Sequence, residues 1–93
     1  MNIYLVARPS VTWDQYGTMV VCAESPRAAR RIYPTEYAVW DDGTRSFVYR
    51  TTGAPVTNTA WTNKIRGLRV TLVGTALDGV EAGTVLCASY HAG

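Results

Sequence analysis

Few residues in this chain have the type and spacing for covalent chemistry. There is one histidine, His91, and there are two cysteines, Cys22 and Cys87. Cys87 and His91 lie four apart at the end of a strand-like run, so both side chains can point to one face. A thiol beside a histidine is a nucleophile with its base. Against that reading, each cysteine sits in an apolar run (19–23 and 85–88), where a free Cys behaves as a small buried hydrophobe. Asp41-Asp42 is the one adjacent carboxylate pair. It falls at a turn, where Asp is expected for backbone reasons, and a magnesium site asks for more oxygen ligands. Gly74 and Gly79 lack the Lys and Ser/Thr that should follow in a phosphate-cradling loop. One His without a Cys-x-x-Cys pair leaves zinc short of ligands. The expectation is a protein that is not an enzyme and needs no metal or cofactor.

Binding is the remaining class, and arginine is the residue that suggests it. Of nine basic residues, eight are Arg and one, Lys64, is Lys. Arginine offers a planar fork of donors that suits phosphate, carboxylate and base edges. A GC-rich coding sequence also favours Arg over Lys, and the richness in Ala, Gly and Val fits that plainer account. Arg27, Arg30 and Arg31 fall at i, i+3 and i+4 and so share one face of a helix. Arg8 ends the first strand-like run and can lie near that face. Trp13 and Tyr16 occupy the first loop, where they can stack on a base or fill a partner's pocket. Arginine with exposed aromatics is the usual makeup of nucleotide and single-strand sites, and equally of protein hot spots. The candidate ligand-binding residues are therefore Arg8, Trp13, Tyr16, Arg27, Arg30 and Arg31. The plainer readings are a solvated helix face for the arginines and core or loop packing for Trp13, Trp40 and Trp61.

The elements that must hold these residues can be read in order. Residues 2–8 form a continuous apolar run ended by Pro9, which reads as a central strand buried on both faces. Residues 9–17 have a loop composition, and 18–23 read as a second strand, antiparallel to the first because the connection is short. Ser25-Pro26 is the clearest local signal: Ser caps a helix and Pro suits its first position. The helix is expected over 26–33, stopped by Pro34, with Ala28, Ala29, Ile32 and Tyr33 on the apolar face. Its N-terminus favours anions. Residues 37–50 read as a hairpin turning at Asp42-Gly43 in a type I′ turn. Two strands alone are marginal, so the hairpin must pack on something. Residues 51–63 read as a loop pinned by Trp61. Residues 68–76 and 84–90 read as two more strands around a turn bracketed by Gly79 and Gly83.

The predicted fold is thus α+β in a single domain, 1–93. It is a mostly antiparallel sheet of about six strands with one short helix on one face, in the order β-β-α-β-β-β-β. One short helix cannot cover such a sheet, so either the aromatics close the other face or a second copy does. A homo-oligomer, in the simplest case a dimer, follows from the second option. The chain is 47% hydrophobic and only 17% charged, which excludes disorder. A formal charge of +2 is small for a protein that grips many phosphates, so nucleic acid is not the expected partner. No signal peptide and no run of about 20 apolar residues points to a membrane. Reduced, unpaired thiols suit the cytosol.

Six pieces of the chain resemble a group of small bacteriophage proteins of unknown function. They are Ile3-Tyr4-Leu5-Val6-x-Arg8; Asp14-x-Tyr16; Val20-Val21-x-Ala23-Glu24-Ser25-x-x-x-Ala29-Arg30-x-Ile32-x-Pro34; Trp61-Thr62; Leu68-x-Val70-x-Leu72-Val73-Gly74-x-Ala76; and Gly83-x-Val85-Leu86-x-Ala88-Ser89-Tyr90-x-Ala92-Gly93. They span nearly the whole chain, and the closing piece is the most specific. The chain departs from the group at His91, where Asn is frequent, and in the 37–50 hairpin. The resemblance implies a phage gene product acting in the cytoplasm of an infected host, and it implies no particular activity. Taken with the Arg-rich face, it gives the expectation of an accessory protein that counters host defence by holding a small anionic nucleotide signal. The alternatives are an inhibitor of a host enzyme, a nucleic-acid binder and a virion-associated protein.

Overall fold

The computed structural model describes residues 1–92; Gly93, the last residue of the closing sequence pattern, lies outside them. The elements are β1 (Asn2–Ala7), β2 (Gln15–Ala23), α1 (Pro26–Ala29), β3 (Ala38–Asp41), β4 (Ser46–Tyr49), a 3₁₀ turn at Ile65–Gly67, β5 (Arg69–Thr75) and β6 (Val85–His91). The fold is α+β, with six strands and one short helix in the expected order. The strands divide into a four-stranded sheet, β5-β1-β2-β6, and a two-stranded sheet, β3-β4. Every pairing is antiparallel.

The apolar run at the N-terminus does become a central strand, flanked by β2 and β5. Its two faces fare differently. Tyr4 and Val6, opposite Val21 and Met19, point into the core and are buried. Ile3, Leu5 and Ala7 point the other way, opposite Cys22, Val20 and Thr18, and five of these six are only half-buried. Burial on both faces was the expectation for β1; in the structure all the covering elements lie on one side, and the far side is open apart from Cys22.

The covered side is built by α1, the segment that follows it, the hairpin and the Trp61 loop. Ala29, Tyr33, Ala38, Phe47, Trp61 and Leu68 join the sheet residues in one apolar cluster. Trp61, 4% exposed, does anchor its loop. Ser25 caps α1 as its sequence predicts: its Oγ accepts from Ala28 N at 3.1 Å, with Pro26 in the first turn. The helix closes at Ala29, four residues short of expectation. Arg31 N and Ile32 N bond to the third carbonyl back, at Ala28 and Ala29, so the chain tightens and leaves the α-helical path. The reason is Tyr33 and Pro34, which are both buried. Bringing Tyr33 edge-on to Phe47, with ring centres 5.2 Å apart, requires the turn to end early.

The hairpin forms with Ala38 opposite Tyr49 and Asp41 opposite Ser46. Its loop is four residues, 42–45, and the left-handed residue is Arg45 (φ 53), so the expected two-residue type I′ turn at Asp42-Gly43 is not used. Asp41 takes over the turn by accepting from both N and Oγ1 of Thr44. The outer edge of β4 is closed by the following loop: Val56 N donates to Phe47 O, and Phe47 N donates to Asn63 Oδ1. Gly79 and Gly83, at φ 92 and 88, bracket the β5–β6 turn with conformations few other residues adopt. Among the described residues no helix is long and apolar enough to cross a membrane.

Candidate functional site

A cleft of about 930 Å³ opens between the hairpin sheet and the outer part of the main sheet. That volume lies in the range of small-molecule sites. Its floor is Tyr16 of β2 with Val85, Cys87 and Ala88 of β6. Its opposite wall is residues 31–36 and 38–40, with Arg50 beyond β4. Two cations, Arg31 and Arg50, and two carboxylates, Glu36 and Glu81, lie around it.

Each wall residue is held for a local reason. Trp40 stands on β3 and packs edge-on against buried Phe47, with ring centres 5.1 Å apart. Its Nε1 donates to Asp42 Oδ1 at 3.1 Å. The same oxygen lies 3.4 Å from Arg31 NH1, and the Arg31 guanidinium sits 5.9 Å from the Trp40 ring centre. Asp42 is 79% exposed, so this ion pair is weak and exchangeable. Arg31 Nε is buried and has no acceptor. Arg50 Nε donates to Glu36 O at 3.0 Å, which leaves the rest of its guanidinium exposed. Tyr33, below, donates to Asn58 Oδ1, and burial, then the neighbouring Tyr49 and Tyr16, push its hydroxyl above the ordinary tyrosine value.

Of the six residues singled out from sequence, Tyr16 and Arg31 line this cleft. The other four do not. Arg8 turns its guanidinium over Trp61, 5.9 Å from the ring centre, and donates to the carbonyls of Tyr16 and Ala60. Burial lowers its pKa. Trp13, 65% exposed, meets the His91 ring at a 43° tilt, with ring centres 4.2 Å apart. Tyr16 meets Tyr90 edge-on at 4.9 Å. Arg27 is exposed on α1, and Arg30 is its half-buried C-cap. Because α1 is one turn long, the three arginines do not form one helix face, and the helix carries almost no dipole for an anion.

Trp40 and Arg50 are among the cleft residues that sequence reasoning did not nominate. Nothing local marks them: Trp40 reads as packing, and Arg50 reads as a strand end. The pattern Trp-Asp-Asp at 40–42, with an arginine nine residues earlier, becomes a site only when the hairpin folds against the helix exit.

Cys87 and His91 lie four residues apart on β6, about 13 Å along the strand at about 3.3 Å per residue. His91 contacts Trp13, while Cys87 lines the cleft. Cys87 is exposed and Cys22 is buried, so only Cys22 is the core thiol expected of both. The difference arises because β6 is an outer strand and β2 an inner one. Among the described residues no group of three or more His, Cys, Asp or Glu could hold a metal. Comparison with models of protein families, with curated proteins and with solved structures found no match to this chain.

Proposed function

We propose that this chain is a non-catalytic binding protein whose ligand is a small anion bearing an aromatic ring, of the nucleotide type. The observation that carries the reading is the Arg31–Trp40 pair on the wall of a cleft of about 930 Å³. Trp40 offers a rigid ring for stacking, and base–aromatic stacking contributes about 1–3 kcal/mol per base. Arg31 and Arg50 supply forked donors for phosphate. Asp42, being exposed and weakly bound, can yield its place on Arg31 to a phosphate oxygen. Glu36 and Glu81 oppose binding of highly charged polyanions and favour a compact ligand with few charges. With the phage-like pattern of the chain, the role is an accessory protein in the infected host that sequesters a nucleotide signal of antiviral defence.

Calorimetry against linear and cyclic nucleotides tests this directly. Binding by the intact protein and its loss in Trp40→Ala and Arg31→Ala support the reading. No heat and no thermal stabilisation with any nucleotide at high concentration refutes it.

One observation favours a second reading. Trp13 and Tyr37, 65% and 75% exposed, are large aromatics outside the cleft. Exposed aromatics of this size are typical anchors of protein interfaces. In that reading the chain inhibits a host enzyme by contact. Stoichiometric capture of one host protein, abolished by Trp13→Ala, supports it over the nucleotide reading.

A further inference from the structure

We propose that a second copy of this chain pairs along β6, antiparallel across a two-fold axis, joining two four-stranded sheets into one continuous sheet. The main sheet ends on β5 and β6, so each has an outer edge without a strand partner among the described residues. On such an edge about half of the backbone N–H and C=O groups point away from the sheet and are open to pairing. Proteins normally guard edges with charge, proline, an inserted residue or short length.

The two edges are guarded unequally. β5 begins at Arg69 and carries its inserted residue, Val73, mid-strand. β6 reads Val-Leu-Cys-Ala-Ser-Tyr-His, with no Lys, Arg, Asp, Glu or Pro. Its inserted residue, Leu86, lies near the start and leaves 87–91 free of insertions on β6 itself. A strand without like charges can pair with its own copy without repulsion, and a two-fold contact places the same patch on both sides. Leu86 and Tyr90, 50% and 48% exposed, flank the edge and supply apolar contact beside the backbone bonds.

The open face of the sheet is the competing site for a second copy. Its outer strand brings a charge, Arg69, whereas β6 carries none. The β6 edge also borders the cleft, since Val85, Cys87 and Ala88 line it. Continuing the sheet past β6 therefore places the partner's strand at the mouth of each cleft.

Cys87 lies on this strand and is exposed, whereas Cys22 is buried, so the native protein carries its own reporter. Light scattering on the intact, ligand-free protein is expected to give twice the 10.2 kDa chain mass. A short bis-maleimide is expected to link Cys87 to the Cys87 of the second copy, and Cys87→Ser is expected to remain dimeric without cross-linking. Lysines at two exposed positions of the edge, Cys87→Lys with Ser89→Lys, are expected to weaken the dimer tenfold or more while the circular dichroism is kept. Thr71→Lys, on the open face of β5, is expected to leave it unchanged. A monomer at the highest soluble concentration, a dimer that does not cross-link at Cys87, or a dimer broken by Thr71→Lys overturns the proposal. Because no nucleotide is present, these outcomes are separate from those that test the cleft.

Discussion

The Arg31 guanidinium stands 5.9 Å from the centre of the Trp40 ring, and this contact joins the segment leaving α1 to the hairpin. Both residues also meet one oxygen, Asp42 Oδ1. The three side chains therefore form a small polar clasp on the rim of the cleft, with Phe47 as its apolar footing.

Replacing Arg31 by Lys keeps the charge but removes the planar fork and its stacking. The fold should be unaffected, because the ion pair with exposed Asp42 contributes little. Nucleotide affinity, read by calorimetry, should fall about tenfold, or about 1.4 kcal/mol. Equal affinity in the variant refutes a role for the Arg31 fork.

Phe47 is 1% exposed and is touched edge-on by Tyr33 and Trp40. It is the point at which the two-stranded sheet enters the common core. Phe47→Ala should cost about 3–5 kcal/mol, much of the roughly 5–15 kcal/mol available to a small domain. Urea unfolding should show the midpoint falling far below wild type or no cooperative transition at all.

The strands and their order were legible because period and turn chemistry are local. The apolar run at 2–8 and the Ser25-Pro26 cap each carried their own signal. Three features depended on distant partners and were not. The helix ends early because Tyr33 must reach Phe47 across the core. The hairpin loop widens because Asp41 binds Thr44. Two of the arginines turn to different aromatics: Arg8 finds Trp61 and Arg31 finds Trp40. Helical spacing placed Arg27, Arg30 and Arg31 together only on the assumption of two helical turns.

The cap itself is testable. Ser25 Oγ accepts from Ala28 N, and α1 has no acidic residue in its first turn to substitute for it. Ser25→Ala should lower stability by about 1 kcal/mol, and Ser25→Gly by only a few tenths. Equal stability of Ser25→Ala and wild type in denaturant would show that the tertiary contacts of Ala29 alone hold this turn.

The two thiols should differ sharply in reactivity. Cys22 is 0% exposed on an inner strand, and Cys87 is exposed on an outer one. A thiol reagent should modify one equivalent quickly in the native protein, and Cys87→Ser should remove that phase. The second equivalent should appear only at the rate of unfolding. Fast modification of both in the native state contradicts the placement of Cys22.

Asp41 gives the hairpin a dependence on acid. The Thr44 hydroxyl, then the Thr44 and Gly43 backbone amides, favour its ionised form and hold its pKa below the ordinary carboxylate value. A carboxyl with a lowered pKa in the folded state adds stability at pH above its unfolded value, about 3.9. That contribution is lost as pH falls through the lower, folded value. Between the two values the folded protein keeps Asp41 charged while the unfolded chain takes up a proton. Thr44→Val removes the hydroxyl donor but leaves the backbone amide, so the Asp41 midpoint followed by NMR should move up toward the ordinary value without reaching it. Asp41→Asn keeps an acceptor for the turn and has no charge to titrate, so the acid-dependent part contributed by this site should vanish. An Asp41 midpoint at or above the ordinary value in the wild type rules out the Thr44 contact as the element that closes the loop.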